Sequence, residues 1–303
     1  MKIPGLSQPT PENDSLLPPL PTLSLAGFTL QVAEPGTDWH MPSRIEYVTP
    51  FTRLCVREDR FVLKGSLTSF LEQLQRMEKK EDVREAILND LEDTLLLRLT
   101  RDWPSERLSG FLRISTNGVE EERHEFQMEL DAPSLARARE TLQTLLTDKR
   151  IKRGKNDASS SKWPDVPLPV PEEETSSLLP TMRLEGLLIE IVEPEVQGYT
   201  IVNLRYRNAI VALSFDGLNL AFDSLQAFIA QLRTMQERLA GEAVLDSPCR
   251  HLRLHLQINR QGQIQGHLRL AFPFESHEIP LHLDQSWLPE VIRIWESVLV
   301  TGR

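Results

Sequence analysis

The chain has 303 residues, of which 40% are hydrophobic and 26% are charged, as in an ordinary soluble globular protein. Its formal net charge of −10 and its pI of about 5.3 argue against a nucleic-acid-binding protein, because such proteins usually present a basic face. With only two cysteines, Cys55 and Cys249, and no run of about 18 apolar residues, neither a disulfide scaffold nor a membrane span is expected, and the cytoplasm is the expected location.

Residues 1–22 are predicted to form a Pro-rich flexible arm. Six of these residues are proline, which removes a backbone hydrogen-bond donor and restricts φ. The arm is therefore expected to be extended and to lie outside the folded domains.

Residues 23–148 are predicted to form the first of two α+β repeat domains. Apolar and polar residues alternate over 28–32, which is the pattern of a half-buried strand. Two further strands are predicted at 53–57 and 60–64.

A helix is predicted to follow at Ser66–Met77. Ser66 stands where its hydroxyl could cap the free N–H groups of the first turn. Apolar residues then recur at helical spacing along one face, which predicts the buried stripe Leu67, Phe70, Leu71, Leu74 and Met77.

Three alternating strands are predicted next, at 95–99, 112–114 and 126–130, with Asn117-Gly118 as a hairpin signal. A second helix closes the domain behind Asp131, which is predicted to be its N-cap. The buried stripe of that helix is predicted to be Leu135, Ala138, Leu142 and Leu145.

Residues 149–180 are predicted to be a linker that is first basic and then Pro-rich. The basic cluster at its start resembles a localisation or nucleic-acid signal, and a solvated linker is the favoured interpretation.

The remaining residues, 181–303, repeat the first domain. The matching stretches lie at separations of 159, 158 and 156 residues, in the same order along the chain, which indicates a duplication. They are Gly27–Pro35 with Gly186–Pro194, Ser66–Met77 with Ser224–Met235, and Gly110–Ile114 with Gly266–Leu270. Corresponding elements are predicted throughout, including a Ser224 N-cap and a cap at Asp284.

The predicted fold class is therefore α+β, in two tandem homologous domains. Each domain is expected to be an antiparallel sheet with two helices packed on one face, because strands and helices do not alternate as in βαβ units. Each is also expected to have its own apolar interior.

A candidate partner-binding surface lies on the outward face of the predicted sheets. Its residues are cationic or amphipathic and alternate with buried leucines: Arg98, Arg113, Arg253, His255, His267 and Arg269. Such a face could receive acidic or aromatic groups of a protein partner. The alternative is ordinary cross-strand pairing, for example of Arg113 with Glu129.

The sequence predicts no metal site, cofactor or enzymatic activity. The histidines of the outward face are accompanied by arginines, which disfavour the binding of another cation. Asp90, Glu92 and Asp93 form an acidic cluster that is predicted to be a solvated loop, absent from the second half. Neither a nucleophile elbow nor a phosphate-binding glycine motif is present in the 303 residues.

The order of elements resembles the small α+β immunity proteins of bacterial contact-dependent toxin systems. The stretches that carry this resemblance are Ser66–Met77 with Asp131–Leu146, and Ser224–Met235 with Asp284–Leu299. It implies a non-enzymatic protein that binds and blocks a protein partner, as an immunity or adaptor protein. A structural or assembly component built from two pseudo-symmetric domains is the alternative, and an enzyme with a site between the halves is a third possibility.

Overall fold

The computed structural model describes residues 21–32, 40–79, 83–102, 104–116, 121–148, 181–184, 186–208 and 211–301. The predicted linker, and all but the last two residues of the predicted arm, lie outside the described residues.

Each half contains four strands, a helix, four strands and a second helix within the described residues. The first half comprises β1 (Leu23–Leu25), β2 (Phe28–Val32), β3 (His40–Val48), β4 (Thr52–Leu63), α1 (Lys64–Glu78), β5 (Glu85–Asn89), β6 (Leu95–Arg101), β7 (Leu108–Ser115), β8 (Arg123–Leu130) and α2 (Ala132–Thr147). The second half comprises β9 (Thr181–Leu184), β10 (Leu187–Val196), β11 (Tyr199–Arg207), β12 (Val211–Ala221), α3 (Phe222–Arg238), β13 (Gly241–Asp246), β14 (Leu252–Ile258), β15 (Ile264–Ala271), β16 (Glu275–Leu283) and α4 (Trp287–Thr301).

The strands form two antiparallel sheets of eight, which confirms the α+β class and the repeated organisation. The first sheet has the order β1-β2-β3-β4-β12-β11-β10-β9, and the second has the order β13-β14-β15-β16-β8-β7-β6-β5. Each half thus supplies four neighbouring strands to each sheet, whereas the sequence predicted one sheet for each half.

The two halves meet within the sheets. In the first sheet β4 pairs with β12, where Arg53 lies opposite Ala212. In the second sheet β8 pairs with β16, where His124 lies opposite His277. Because both contacts join equivalent strands in antiparallel register, an approximate two-fold axis relates the halves.

The buried apolar residues form one cluster that draws on both halves, so the expectation of two separate interiors is wrong. The two sheets contact each other through aromatic side chains: the ring centroids of Tyr47 on β3 and Phe126 on β8 are 4.2 Å apart. Those of Phe215 on β12 and Phe272, in the turn between β15 and β16, are 4.4 Å apart. A physical reason is that β4 and β12, if separated, would each leave a row of unpaired backbone groups at a sheet edge.

The predicted buried stripes of α1 and α3 are confirmed except at Leu71, which is half-buried; Phe70 and Phe228 are both buried at equivalent places. Asp131 is the N-cap of α2 and accepts a hydrogen bond from the Ser134 amide at 2.7 Å. Ser66 and Ser224 are not caps, because each of these helices begins two residues earlier, directly from the preceding strand.

One other local expectation differs from the structure. The segments 53–57 and 60–64, which the sequence predicts as two strands, belong mainly to one strand, β4, and strand β3, which contains Pro42, was not predicted. Strand β10 continues past Glu193-Pro194, where the register shifts of a bulge accommodate a residue that cannot donate a ladder hydrogen bond.

The acidic cluster after β5 is a turn with a structural carboxylate. Asp90 is buried and accepts hydrogen bonds from the backbone amides of Thr94 at 2.7 Å and Leu95 at 3.0 Å. The second half has the corresponding turn, in which the Ser247 hydroxyl accepts from the Leu252 amide at 3.0 Å. The prediction that this loop is solvated and absent from the second half is therefore wrong for Asp90.

Candidate functional site

The six residues predicted to bind a partner all lie in the second sheet, but they form two groups. Arg98 and Arg113 lie on β6 and β7. The other four residues lie on β14 and β15 of the second half: Arg253, His255, His267 and Arg269. Strands β16 and β8 separate the two groups.

Four of these six side chains have an acidic partner on a neighbouring strand. The distances are 3.0 Å for Arg98–Glu85, 3.8 Å for Arg253–Asp246, 3.0 Å for His255–Glu242 and 3.9 Å for Arg269–Glu278. The strand register places Glu125 opposite Arg113, whereas the sequence suggested Glu129. Cross-strand pairing therefore accounts for much of the charge on this face.

A different surface, on the first sheet, combines a cavity with two arginines that form no ion pair with a described residue. The cavity measures about 510 Å³ and is lined by residues of β4, β9, β10, β11 and β12, together with Phe51 and Trp287. Leu188 on β10 lies between Arg183 on β9 and Arg205 on β11 in the strand register. These side chains alternate with buried neighbours along their strands, which places them on the face opposite the core. We call this surface the arginine groove.

The groove has four arginines in its lining and no carboxylate among the described lining residues. Two of the arginines are paired at the rim: Arg53 lies 2.9 Å from Glu46, and Arg205 lies 2.6 Å from Asp216. The other two, Arg183 and Arg207, are exposed and form no ion pair with any described residue. Among the described residues these two cations are therefore uncompensated, and they lie beside an apolar floor.

The equivalent surface of the first half has different chemistry. A shift of 159 residues, as between Tyr47 and Tyr206, relates the strands of the first sheet. It places Ser24, Thr29, Glu46 and Val48 where the groove has Arg183, Leu188, Arg205 and Arg207. Because both copies build the same sheet, the fold itself does not require the arginines.

A second unusual cluster lies inside the molecule, at the junction of the halves. His124 and His277 are fully buried, and their Nδ1 atoms are 2.9 Å apart. Nε2 of His124 lies 3.0 Å from a carboxylate oxygen of Glu122. Nε2 of His277 lies 3.4 Å from the Thr52 hydroxyl and 3.8 Å from a carboxylate oxygen of Glu275.

The geometry determines where the protons of a neutral pair lie. One Nδ1 must carry a hydrogen, because two bare nitrogens at 2.9 Å would repel each other. Since Nε2 of His124 donates to Glu122, the neutral His124 accepts at Nδ1 and His277 donates. A further proton would enter at Nε2 of His277. Burial lowers the pKa of His277, and the hydrogen bond that the Glu275 carboxylate accepts from the ring opposes this effect. Protonation of the neighbouring His124 would lower the pKa of His277 further.

Each glutamate of this cluster is held by the other half. Glu122 accepts a hydrogen bond from the Asn208 amide at 2.6 Å, and Glu275 accepts one from the Thr49 hydroxyl at 3.2 Å. Asn208 and Thr49 are themselves equivalent, at a separation of 159 residues. The sequence signal for the cluster was the triplet Glu-x-His, which occurs at Glu122–His124 and again at Glu275–His277. Because side chains alternate along a strand, the Glu and the His of each triplet point to the same face of the sheet, which is the face toward the core.

Other kinds of site find no support in the described part of the chain. No group of three or more His, Cys, Asp or Glu residues there could hold a metal ion. Among the described residues, every helix is too short or too polar to cross a membrane.

Comparison with known proteins adds little about function. No protein-family model matches the chain, and no curated protein matches it. Among solved structures it is similar to the Trypanosoma bruciei MRP1/MRP2 structure, at 12% identity and a TM-score of 0.30, over 42% of this chain and 87% of that chain. A likeness at this level supports no functional argument.

Proposed function

We propose that this chain is a non-enzymatic protein-binding module of the adaptor or immunity type, acting in the cytoplasm. The observation that carries the proposal is the difference between equivalent faces of the two halves. The second half has Arg183 and Arg207 beside a cavity of about 510 Å³, whereas the first half has Ser24 and Val48 at the same places. Exposed cations that the fold does not need are typical of an interaction surface.

The proposal assigns binding to the second half and support to the first. The first half continues the sheet beneath the groove, since β4 pairs with β12 and contributes Arg53 to the lining. A groove on paired strands of a large sheet is rigid, which reduces the entropy that binding must overcome.

The titratable cluster at the junction fits a structural role better than catalysis. His124 and His277 have no solvent exposure, so a substrate could not reach either imidazole without opening the core. General acid–base catalysis needs a group within hydrogen-bond reach of the substrate.

Site-specific photo-crosslinking in lysate of the source organism tests the proposal. A benzophenone side chain at Leu188, in the groove, is compared with one at the equivalent Thr29. We expect one dominant protein adduct from position 188 that is lost when Arg183→Glu and Arg207→Glu are added. Equal adducts from both positions, or adducts that survive both charge reversals, would contradict a specific site in the second half.

The alternative function, a structural or assembly component, is favoured by one observation. The two halves build two continuous eight-stranded sheets with approximate two-fold symmetry, which is suited to joining two similar partners. Light scattering after size-exclusion chromatography distinguishes the two proposed functions. A defined oligomer of the purified chain supports the structural component, and a monomer that binds one partner supports the binding module.

A further inference from the structure

We infer that the arginine groove binds an extended acidic segment of a protein partner, with the pattern acid–x–apolar–x–acid. The inference rests on the proposed function and specifies the chemistry of the partner. Two carboxylates would meet Arg183 and Arg207, and the central apolar side chain would lie on Leu188.

The charges of the groove argue for an anionic occupant. Arg53 and Arg205 already have carboxylate partners at 2.9 and 2.6 Å, which shows how this face holds acids. Arg183 and Arg207 offer the same bidentate donors without a partner among the described residues. A partner carboxylate at Arg183 and another at Arg207 would give these two arginines the same kind of ion pair that Arg53 and Arg205 already have.

The strand register sets the spacing of the two acids. Arg183 aligns with Leu188, while Arg207 aligns with Gly186, which is two residues before Leu188 and directly precedes β10. Arg183 and Arg207 also lie two strands apart, on β9 and β11. With strands about 4.8 Å apart and a rise of about 3.4 Å per residue, their Cα atoms are about 12 Å apart on the diagonal.

The distance of about 12 Å between the two arginines matches the distance between residues i and i+4 of an extended segment. Residues i and i+4 of a strand point the same way and are about 13 Å apart, and residue i+2 points the same way between them. Leu188 is half-buried and lies between the two cationic strands, so residue i+2 would be the apolar one. Phe51, whose side chain is 53% exposed, provides further apolar surface in the lining.

Fluorescence anisotropy with defined peptides and the full-length protein tests this inference. The probe is a labelled peptide with the core Glu-Ser-Leu-Ser-Glu, compared with Lys-Ser-Leu-Ser-Lys, Glu-Ser-Ser-Ser-Glu and a peptide in which the two glutamates are adjacent. We expect only the first peptide to bind well, with an affinity that falls as salt concentration rises.

The protein variants are Arg183→Glu, Arg207→Glu and their combination, with Arg260→Glu as the matched control. Arg260 is an exposed arginine in the turn between β14 and β15, so its reversal changes the net charge equally. Each groove variant should weaken binding at least tenfold and the control less than twofold. Thermal unfolding of each variant verifies that the fold is intact.

Several outcomes would overturn the inference: equal binding of the lysine peptide, equal binding by the double variant, or no dependence on the spacing of the acids. If the peptides fail while the crosslink at Leu188 persists, the protein-binding proposal stands and only the acidic pattern is wrong. Tighter groove-dependent binding of an unstructured oligonucleotide would overturn both.

Discussion

The Nδ1 atoms of His124 and His277 face each other at 2.9 Å across the strand pair that joins the two halves of the second sheet. The charged groups around them are Glu122, which directly precedes β8, and Glu275, the first residue of β16. The first sheet contributes Thr52 and Tyr47, and burial together with the charge of Glu275 raises the pKa of Tyr47 to about 12. The junction of the halves therefore contains buried titratable groups from both halves.

We predict that the free energy of unfolding decreases as pH falls below about 6.5. The folded His277 has a lowered pKa, mainly because of burial, whereas the unfolded chain has the ordinary imidazole value of about 6.5. The unfolded state then binds more protons, so stability rises with pH through this window and is lost below it. One proton gives a slope of at most about 1.4 kcal/mol per pH unit. Urea unfolding from pH 7.5 to 5 measures the slope.

His282 provides the matched control for this prediction, because it lies on the same strand as His277 but is exposed. His277→Gln should flatten the pH dependence, whatever its effect on stability at pH 7.5, while His282→Gln should leave the slope unchanged. A slope that persists in His277→Gln would show that other groups cause it.

Removing the hydrogen-bond donor to either junction glutamate should lower the stability of the protein by a similar amount. Asn208→Ala removes the donor to Glu122, and Thr49→Ala removes the donor to Glu275. Each change leaves a buried carboxylate with one hydrogen bond fewer, so we expect a loss of about 1–3 kcal/mol in each variant. Chemical denaturation provides the measurement, and a large effect in only one variant would contradict the two-fold equivalence.

Gly27 and Gly186 should tolerate no side chain. Both have φ above +80°, and a Cβ at Gly27 would lie 2.6 Å from the Val48 carbonyl oxygen. Alanine at either position should cost about 1–3 kcal/mol, since the strained backbone conformation must be kept or the turn must move. Gly65→Ala in α1 is the control, because no atom lies within 4 Å of the new Cβ and alanine favours helix. The melting temperatures of the three variants, compared with that of the unchanged protein, test this prediction.

Because one apolar cluster spans both halves, unfolding should occur as a single transition. Differential scanning calorimetry should give equal calorimetric and van't Hoff enthalpies. After cleavage at a protease site introduced within residues 149–180, the two halves should still co-elute. Two resolved transitions, or separation of the cleaved halves, would show that the halves are independent domains after all.

Local features that depend on neighbouring residues were predictable from the sequence. The stripes of α1 and α3 follow from helical spacing, and both are buried as expected. The Asp131 cap was also predictable, because a cap is a contact over three residues. The short edge strands β5 and β13 were missed, because a few residues beside a helix contain too little alternation to be recognised.

The candidate site was harder to predict because it depends on strand order. Arg183 and Arg207 lie on one surface only because β9, β10 and β11 are neighbours in one sheet. The cations that the sequence did emphasise, such as Arg98 and His255, form ion pairs with acidic residues on neighbouring strands. Alternation predicts which way a side chain points, and register alone determines what it faces.

The sequence by itself determined the duplication, the α+β class and the buried face of each helix, because these follow from repetition and periodicity within short segments. Only the tertiary structure decided that the two halves share both sheets, that His124 meets His277, and that, among the described residues, the arginine groove lies on the second half. The physical reason is that backbone hydrogen bonds between distant strands carry no residue-specific signal, so any two unpaired edges of matching shape can join.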